Sequence, residues 1–306
     1  MRKSKELRIV EDLEWNDINL KENKYKKTSS GSYIFNFESG SLLENIKHTF
    51  GISNEDLFNT KFEEAISGDG DESKKMISVK SSSLCALLCF YNVSKEHPIA
   101  INGEKYTKSF FEVKNQVFNN PSNMDVVLTN EEDGRILFVE CKFSEYLNTS
   151  PIEISNAYED NEISGTIYRE AMSKGLFSKN EEGKYYSSNA YMGGLKQIIS
   201  HYVGLINYVG RGKDYLEAYC NSEEGKRIKE NIYDKKYKEV KFIEVVYKFR
   251  DSKLLDYYDS YHNQAKELIK LLHHDKIEFL EPTTYKDVFA DNKGFLDRIV
   301  GSFYKI

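Results

Sequence analysis

Apolar and polar positions alternate with two different periods along this chain, and each change of period marks a change of element. Ser41–Phe50 and Asn54–Ser67 carry helical spacing. Ser81–Asn92 carries it too, with serines placed to cap its start and Leu84, Leu87 and Leu88 in one stripe. Ala190–Val209 predicts a long amphipathic helix with Leu195, Ile198, Ile199 and Tyr202 on its apolar side. Leu254–His274 predicts another helix, and Tyr285–Phe289 a short one. Phe110–Phe118, Asn123–Leu128, Ile136–Phe143, Lys241–Phe249 and Ile277–Leu280 have strand character, as does the shorter Ser32–Phe37. A helix, three consecutive strands, then further helices and strands define an α/β class. Residues 1–40 are polar and lysine-rich and are expected to form an N-terminal extension. Residues 41–306 are expected to form one domain, and the polar, tyrosine-rich stretch 145–190, with little periodicity, an insertion with short helices.

Two of the strands carry charges that a buried strand does not tolerate without compensation. Asp125 precedes Val126-Val127-Leu128, and Glu140 and Lys142 interrupt the apolar run from Ile136 to Phe143. Side chains two apart on a strand share a face, so Glu140 and Lys142 project together while Cys141 turns away. The segment Thr129–Gly134 is a turn by composition, with Gly134 free to take a positive φ, and would join the two strands as an antiparallel hairpin. Asp125 and Glu140 could then offer carboxylates to Mg²⁺ and the Cys141 carbonyl a third hard oxygen, with Lys142 placed to orient a water or stabilise developing charge. Glu-x-Lys is common in a chain that is 30% charged and recurs, for example, at Glu112/Lys114 and Glu239/Lys241. Only Glu140 follows an Asp-bearing strand at hairpin distance.

Composition narrows the setting. The 306 residues, 40% hydrophobic, can bury a substantial core. Cys85, Cys89, Cys141 and Cys220 lack zinc-ligand clustering and suit a reducing cytoplasm. No apolar leader follows Met1, and no run is long enough to span a membrane. The net charge of −6 argues against a protein coated with nonspecific DNA-binding charge, though not against a local basic groove. Such a groove could draw on Lys21, Lys24, Lys26 and Lys27, or on Lys226, Arg227, Lys229, Lys235, Lys236 and Lys238. Ser67–Ser73 is rich in Gly and Asp but lacks the later glutamate of a calcium loop, and is expected to be a turn. His273 and His274 are expected near a helix end, and His201 lies four residues after Gln197 on a shared helical face.

These motifs, in order, resemble the PD-(D/E)XK nuclease superfamily, and more narrowly a bacterial family of restriction-endonuclease-like proteins. The resemblance runs over roughly residues 60–290. It rests on Gly68-Asp-Gly70-Asp-Glu72, Ser82-Ser83, Phe111-Glu112, Pro121-Ser-Asn123-Met-Asp125, Glu140-Cys-Lys142-Phe143-Ser-Glu145 and a helix bearing Gln197. An Asn expected late in the Ser-Ser helix is replaced by the Leu88-Cys89 region. The resemblance implies a restriction-endonuclease-like mixed β-sheet flanked by helices. It implies Mg²⁺, with Mn²⁺ as substitute, at Asp125, Glu140 and the Cys141 carbonyl, and Lys142 assisting the water. Glu112 would reach the metal or a second cation, Gln197 would position Lys142 or a phosphate, and Glu72 is a weaker candidate. The implied activity is DNA endonucleolysis in restriction or phage defence, by a homodimer where both strands are cut. The alternatives are a non-catalytic DNA-binding or scaffold protein on the same fold, and a nuclease acting on RNA or awaiting a protein partner.

Overall fold

A computed structural model describes residues 4–13, 25–37, 40–67, 72–118, 121–187, 190–211 and 223–306. Lys21, Lys24, Gly68 to Asp71 and Cys220 lie outside the described residues. The central sheet is built from β1 (Lys108–Gln116), β2 (Pro121–Asn130), β3 (Arg135–Lys142), β4 (Glu239–Val246) and β5 (Ile277–Phe279), in spatial order β5-β4-β3-β2-β1. The two-residue β6 (Thr283–Thr284) also pairs with β4. β1, β2 and β3 form an antiparallel meander, while β3, β4 and β5 run parallel. The sheet is therefore mixed, and the β2–β3 hairpin is as expected. Gly134 closes its turn at φ 70°, a conformation other residues adopt at a cost. β3 lies at the centre, and Ile136 to Lys142 are all buried, which accounts for its nearly unbroken apolar run. A parallel β3–β4 pair needs a crossover, and the long segment between them supplies it.

The flanking helices used below are α1 (Glu55–Ile66), α2 (Glu72–Met76), α3 (Ser82–Phe90), α4 (Met192–Arg211), α5 (Ser252–Ile269) and α6 (Tyr285–Ala290). α3 is capped by the Ser81 side chain, which accepts from the Leu84 N–H. Leu84 through Phe90 are all buried, as suits a helix packed against both β2 and β3. α4 packs on β1 and β2 and meets α5. Gly194 allows that meeting, because a Cβ there would collide with the Tyr261 ring. α1 covers the open edge of β1: Lys61 Nζ donates to the Ser109 carbonyl, and the Phe111 N–H donates to Glu64 Oε2 at 3.2 Å.

Three sequence readings need correction. Glu72 and Ser73, read as part of a turn, begin α2, whose Glu72 stands in the favoured first-turn position. α5 ends at Ile269, so His273 and His274 lie beyond it. Leu272 stays buried in the core, so the apolar pattern runs on past the helix as the chain turns back toward β5. The stretch 145–190 is less irregular than its composition suggests. Glu162–Ser173 is a 12-residue helix that buries Ile167, Tyr168 and Ala171, and Phe177 and Tyr185 are buried beside it. Its core is tyrosine and small residues (Ser164 and Gly165 among them), which hydropathy patterns score as polar. At the N-terminus, Ile9 and Val10 of the helix Lys5–Asp12 join the core, and Lys5 Nζ donates to the Leu147 carbonyl at 2.7 Å. Among the described residues, no helix is long and apolar enough to cross a membrane.

Candidate active site

The site lies where the sheet forks. The β2–β3 ladder ends at Val126↔Val139, so Asp125 and Glu140 face each other one step beyond the last pair. From there β2 continues along β1, and β3 continues along β4 as far as Val246↔Lys142. Asp125 Oδ2 closes the gap by accepting the Cys141 N–H at 2.7 Å. The Lys142 carbonyl points the other way and accepts the Tyr247 N–H at 2.7 Å. Adjacent carbonyls on a strand face opposite neighbours, so the Cys141 carbonyl faces the Asp125 side. On the β1–β2 side, Glu112 stands opposite Asp125, between the pairs Phe111↔Val126 and Val113↔Met124. Glu112 sits at φ 50°, in the left-handed region, although it is neither glycine nor in a turn. Simple strand alternation could not have foreseen this. Glu112, Asp125, Glu140 and Lys142 all line one cleft of about 730 Å³.

Glu140 is 1% exposed, with a basic side chain beside each oxygen. Lys142 Nζ is bonded to Oε1, and His201 Nε2 lies 2.7 Å from Oε2. His201 Nδ1 in turn lies 2.8 Å from Ser122 Oγ. Burial alone would raise the Glu140 pKa, but Lys142 and His201 overcome it and hold the carboxyl at about 2. Asp125 goes the opposite way: burial, then the like charges of Glu140 and Glu112, push it well above the usual carboxylate range, with Lys142 offsetting part. For Lys142, burial favours the neutral amine, yet Glu140 and Asp125 outweigh it and the ammonium is retained. On β4, Glu244 stands in register with Glu140 and is wholly buried. Burial lifts its pKa to about 7, and Tyr261 donates to its Oε1.

Among the described residues, no three His, Cys, Asp or Glu side chains are grouped as a closed metal cage. Mg²⁺ does not need one: it is usually held by one or two carboxylates and keeps waters for substrate oxygens to replace. The available donors are Asp125, Glu140, the Cys141 carbonyl and, nearby, Glu112, all hard oxygens. Asp125 is pushed up first by burial and then by the like charges of Glu140 and Glu112, a repulsion that a cation would offset. The residues therefore fit a divalent cation, with Glu140 exchanging part of its contact with Lys142 or His201 to take part.

The other sequence candidates divide. Gln197 lines the cleft, as does Glu72, which accepts from Ser83 Oγ at 2.7 Å. Glu145 closes the end of β3, accepting the N–H groups of Phe143 and Ser144 at 2.8 and 2.9 Å. Cys85, Cys89 and Cys141 are buried free thiols of the core. The second basic run is largely spent on ion pairs: Arg227 with Glu64, Lys229 with Asp234 at 2.9 Å, and Lys235 with Glu131 at 3.3 Å. His201, noted in the sequence only for its helical face, and Glu244, not singled out at all, are the two charged or titratable neighbours that pattern reading underrated. Each left a signal: His201 shares its helix face with Gln197, and Glu244 is a lone acid in an apolar strand, as Glu140 is. Compared with family models, curated proteins and solved structures, the chain matches none.

Proposed function

We propose that this protein is a divalent-metal-dependent nuclease of the PD-(D/E)XK type, hydrolysing phosphodiester bonds of DNA, with restriction or phage defence as its setting. The observation that carries the reading is the convergence of Glu112, Asp125, Glu140 and Lys142 at the fork of the sheet, inside one cleft. A bound Mg²⁺ supplies Lewis-acid polarisation of the phosphate and acidifies a water. Asp125, Glu140 and the Cys141 carbonyl hold it. Lys142, a donor with no acceptor capacity, aims at the attacking water or the charge that builds on the phosphate. His201 and Lys142 fix the Glu140 carboxylate between them. Gln197 is placed to contact a phosphate or Lys142 from α4.

The test is a cleavage panel of supercoiled plasmid, single-stranded DNA and RNA in Mg²⁺, Mn²⁺ and EDTA. Wild type is expected to cut in either metal and not in EDTA. Lys142→Ala is expected to lose at least a hundredfold in rate, as removal of a charge-stabilising group commonly does. Metal-independent cutting, or full activity in the variant, contradicts the assignment.

A further inference from the structure

Resting on the nuclease reading, we infer that the cleft accepts a single strand of nucleic acid, or a strand peeled from its partner, and excludes a continuous duplex. Depth is the first observation. Glu112, Glu140 and Lys142 are 7%, 1% and 3% exposed and Asp125 is half-buried beside them, so most of the site lies on the floor of the cleft. Ser82 and Ser83 of α3 wall one side, and Ser155 and Tyr158 of the 145–190 stretch wall another. The cleft's volume, about 730 Å³, falls in the range of pockets that enclose small ligands, about 300–1,000 Å³. It has room for a nucleotide or so, and a stiff helix of two strands cannot bring a phosphate down to its floor.

Charge is the second observation. Five carboxylates and three lysines line the cleft. A duplex presents one phosphate per about 1.7 Å of axis, and its binding depends on many Lys and Arg contacts. Here Arg227, Lys229 and Lys235 of the basic run are committed to internal carboxylates. A single strand carries half that charge density, one phosphate per about 3.4 Å, and is held by basic groups together with ring surfaces on which bases stack.

The wall supplies those surfaces, which is the third observation. Phe118, Tyr158 and Tyr191 line the cleft half-buried. Phe118 and Tyr158 meet edge to face at 4.8 Å, and Lys196 Nζ sits 4.8 Å from the Tyr158 ring centre. With Lys196 over the Tyr158 ring, the wall presents a cation and aromatic edges together, the two elements that grip a phosphate and its base without reading sequence.

The experiment is fluorescence anisotropy in EDTA, where nothing is cut, using the full chain. The probes are a labelled single-stranded oligonucleotide, as DNA and as RNA, and a sealed duplex dumbbell of the same sequence without free ends. The expected result is single-strand binding at least roughly tenfold tighter than dumbbell binding. Tyr158→Ala is expected to weaken it roughly fivefold or more, and Lys196→Ala to weaken it in the same direction. Lys196→Ala is expected to unfold at the wild-type temperature, and Tyr158→Ala, which loses its contacts with Phe118 and Ser200, somewhat lower but still folded at the assay temperature. Dumbbell binding as tight as the single strand overturns the inference, as does no binding of either, or single-strand binding untouched by both variants. Retained single-strand preference with no metal-dependent cutting of any probe would sink the nuclease reading while supporting this one.

Discussion

Glu112 concentrates the tension between folding and function at the residue scale. Holding an L-residue in the left-handed region costs about 1–2 kcal/mol, and here the cost falls on a glutamate opposite Asp125. Strain kept at such a position is expected where it serves chemistry. Glu112→Gly should therefore unfold at the same or higher denaturant concentration than wild type, while cutting falls at least tenfold; a clear loss of stability would show that the conformation is unstrained. Asp125 makes a parallel case. Its carboxyl is pushed up by burial and by Glu140 and Glu112, so its ionised form destabilises the metal-free protein at neutral pH. Asp125→Asn keeps an oxygen for the Cys141 N–H and removes the charge. In EDTA it should raise Tm by about 2–4 °C for each 1 kcal/mol relieved, and it should abolish the further rise that Mn²⁺ gives wild type.

Glu244 and Glu140 give opposite pH signatures. Glu244, raised to about 7 by burial, is bound to its proton more tightly in the folded state than in the unfolded one. Stability should fall as pH rises from the unfolded value toward 7 and then level off, by on the order of 3 kcal/mol. Glu140, held at about 2, contributes stability that is present above the unfolded value and is lost as pH falls toward 2. Urea titrations across this range in EDTA should show a decline toward pH 7 in wild type that is clearly smaller in Glu244→Gln, where Asp125 alone contributes to it. The sequence displayed Asp125, Glu140 and Lys142 because charges stand out in apolar strands. It did not display the left-handed Glu112 or the His201 contact, because both depend on how separate elements meet.

Among elements, the edge of β1 is the exposed risk of this sheet, and α1 closes it. Glu64 is fully buried, accepts the Phe111 N–H and pairs with Lys61 at 3.3 Å and with Arg227. Burial, with Arg227 and Lys108 nearby, pushes the Lys61 pKa down to about 7. Removing one partner of such a group strands the other. Glu64→Ala should cost about 3–5 kcal/mol in denaturant unfolding, and Glu64→Gln, which still accepts the Phe111 N–H, should cost less; equal stability of all three proteins would refute this role. The helices and strands themselves were largely legible, since caps and periodicity fixed α1, α3 and α4 and the order of the central strands. Elements whose cores are tyrosine, serine and glycine, such as Glu162–Ser173, were not. The overrun of α5 toward His274 came from Leu272, which is buried without being helical.

For the molecule as a whole, a mixed sheet flanked by helices gathers five carboxylates around one cleft, within a chain of net charge −6. The sequence order of helix, three strands and helix was enough for the α/β class, while the mixed sheet was an implication of the resemblance alone. The parallel register that sets Glu244 beside Glu140 was not readable, because a crossover pairing leaves no local trace. The central claim is that Asp125, Glu140 and the Cys141 carbonyl form one cation site at the fork of that sheet. Calorimetric titration of Mn²⁺ into metal-free wild type and Asp125→Asn tests it most directly. The account predicts saturable binding in wild type, weakened at least roughly tenfold in the variant (about 1.4 kcal/mol). Equal binding by the two proteins, or none by the wild type, would contradict it.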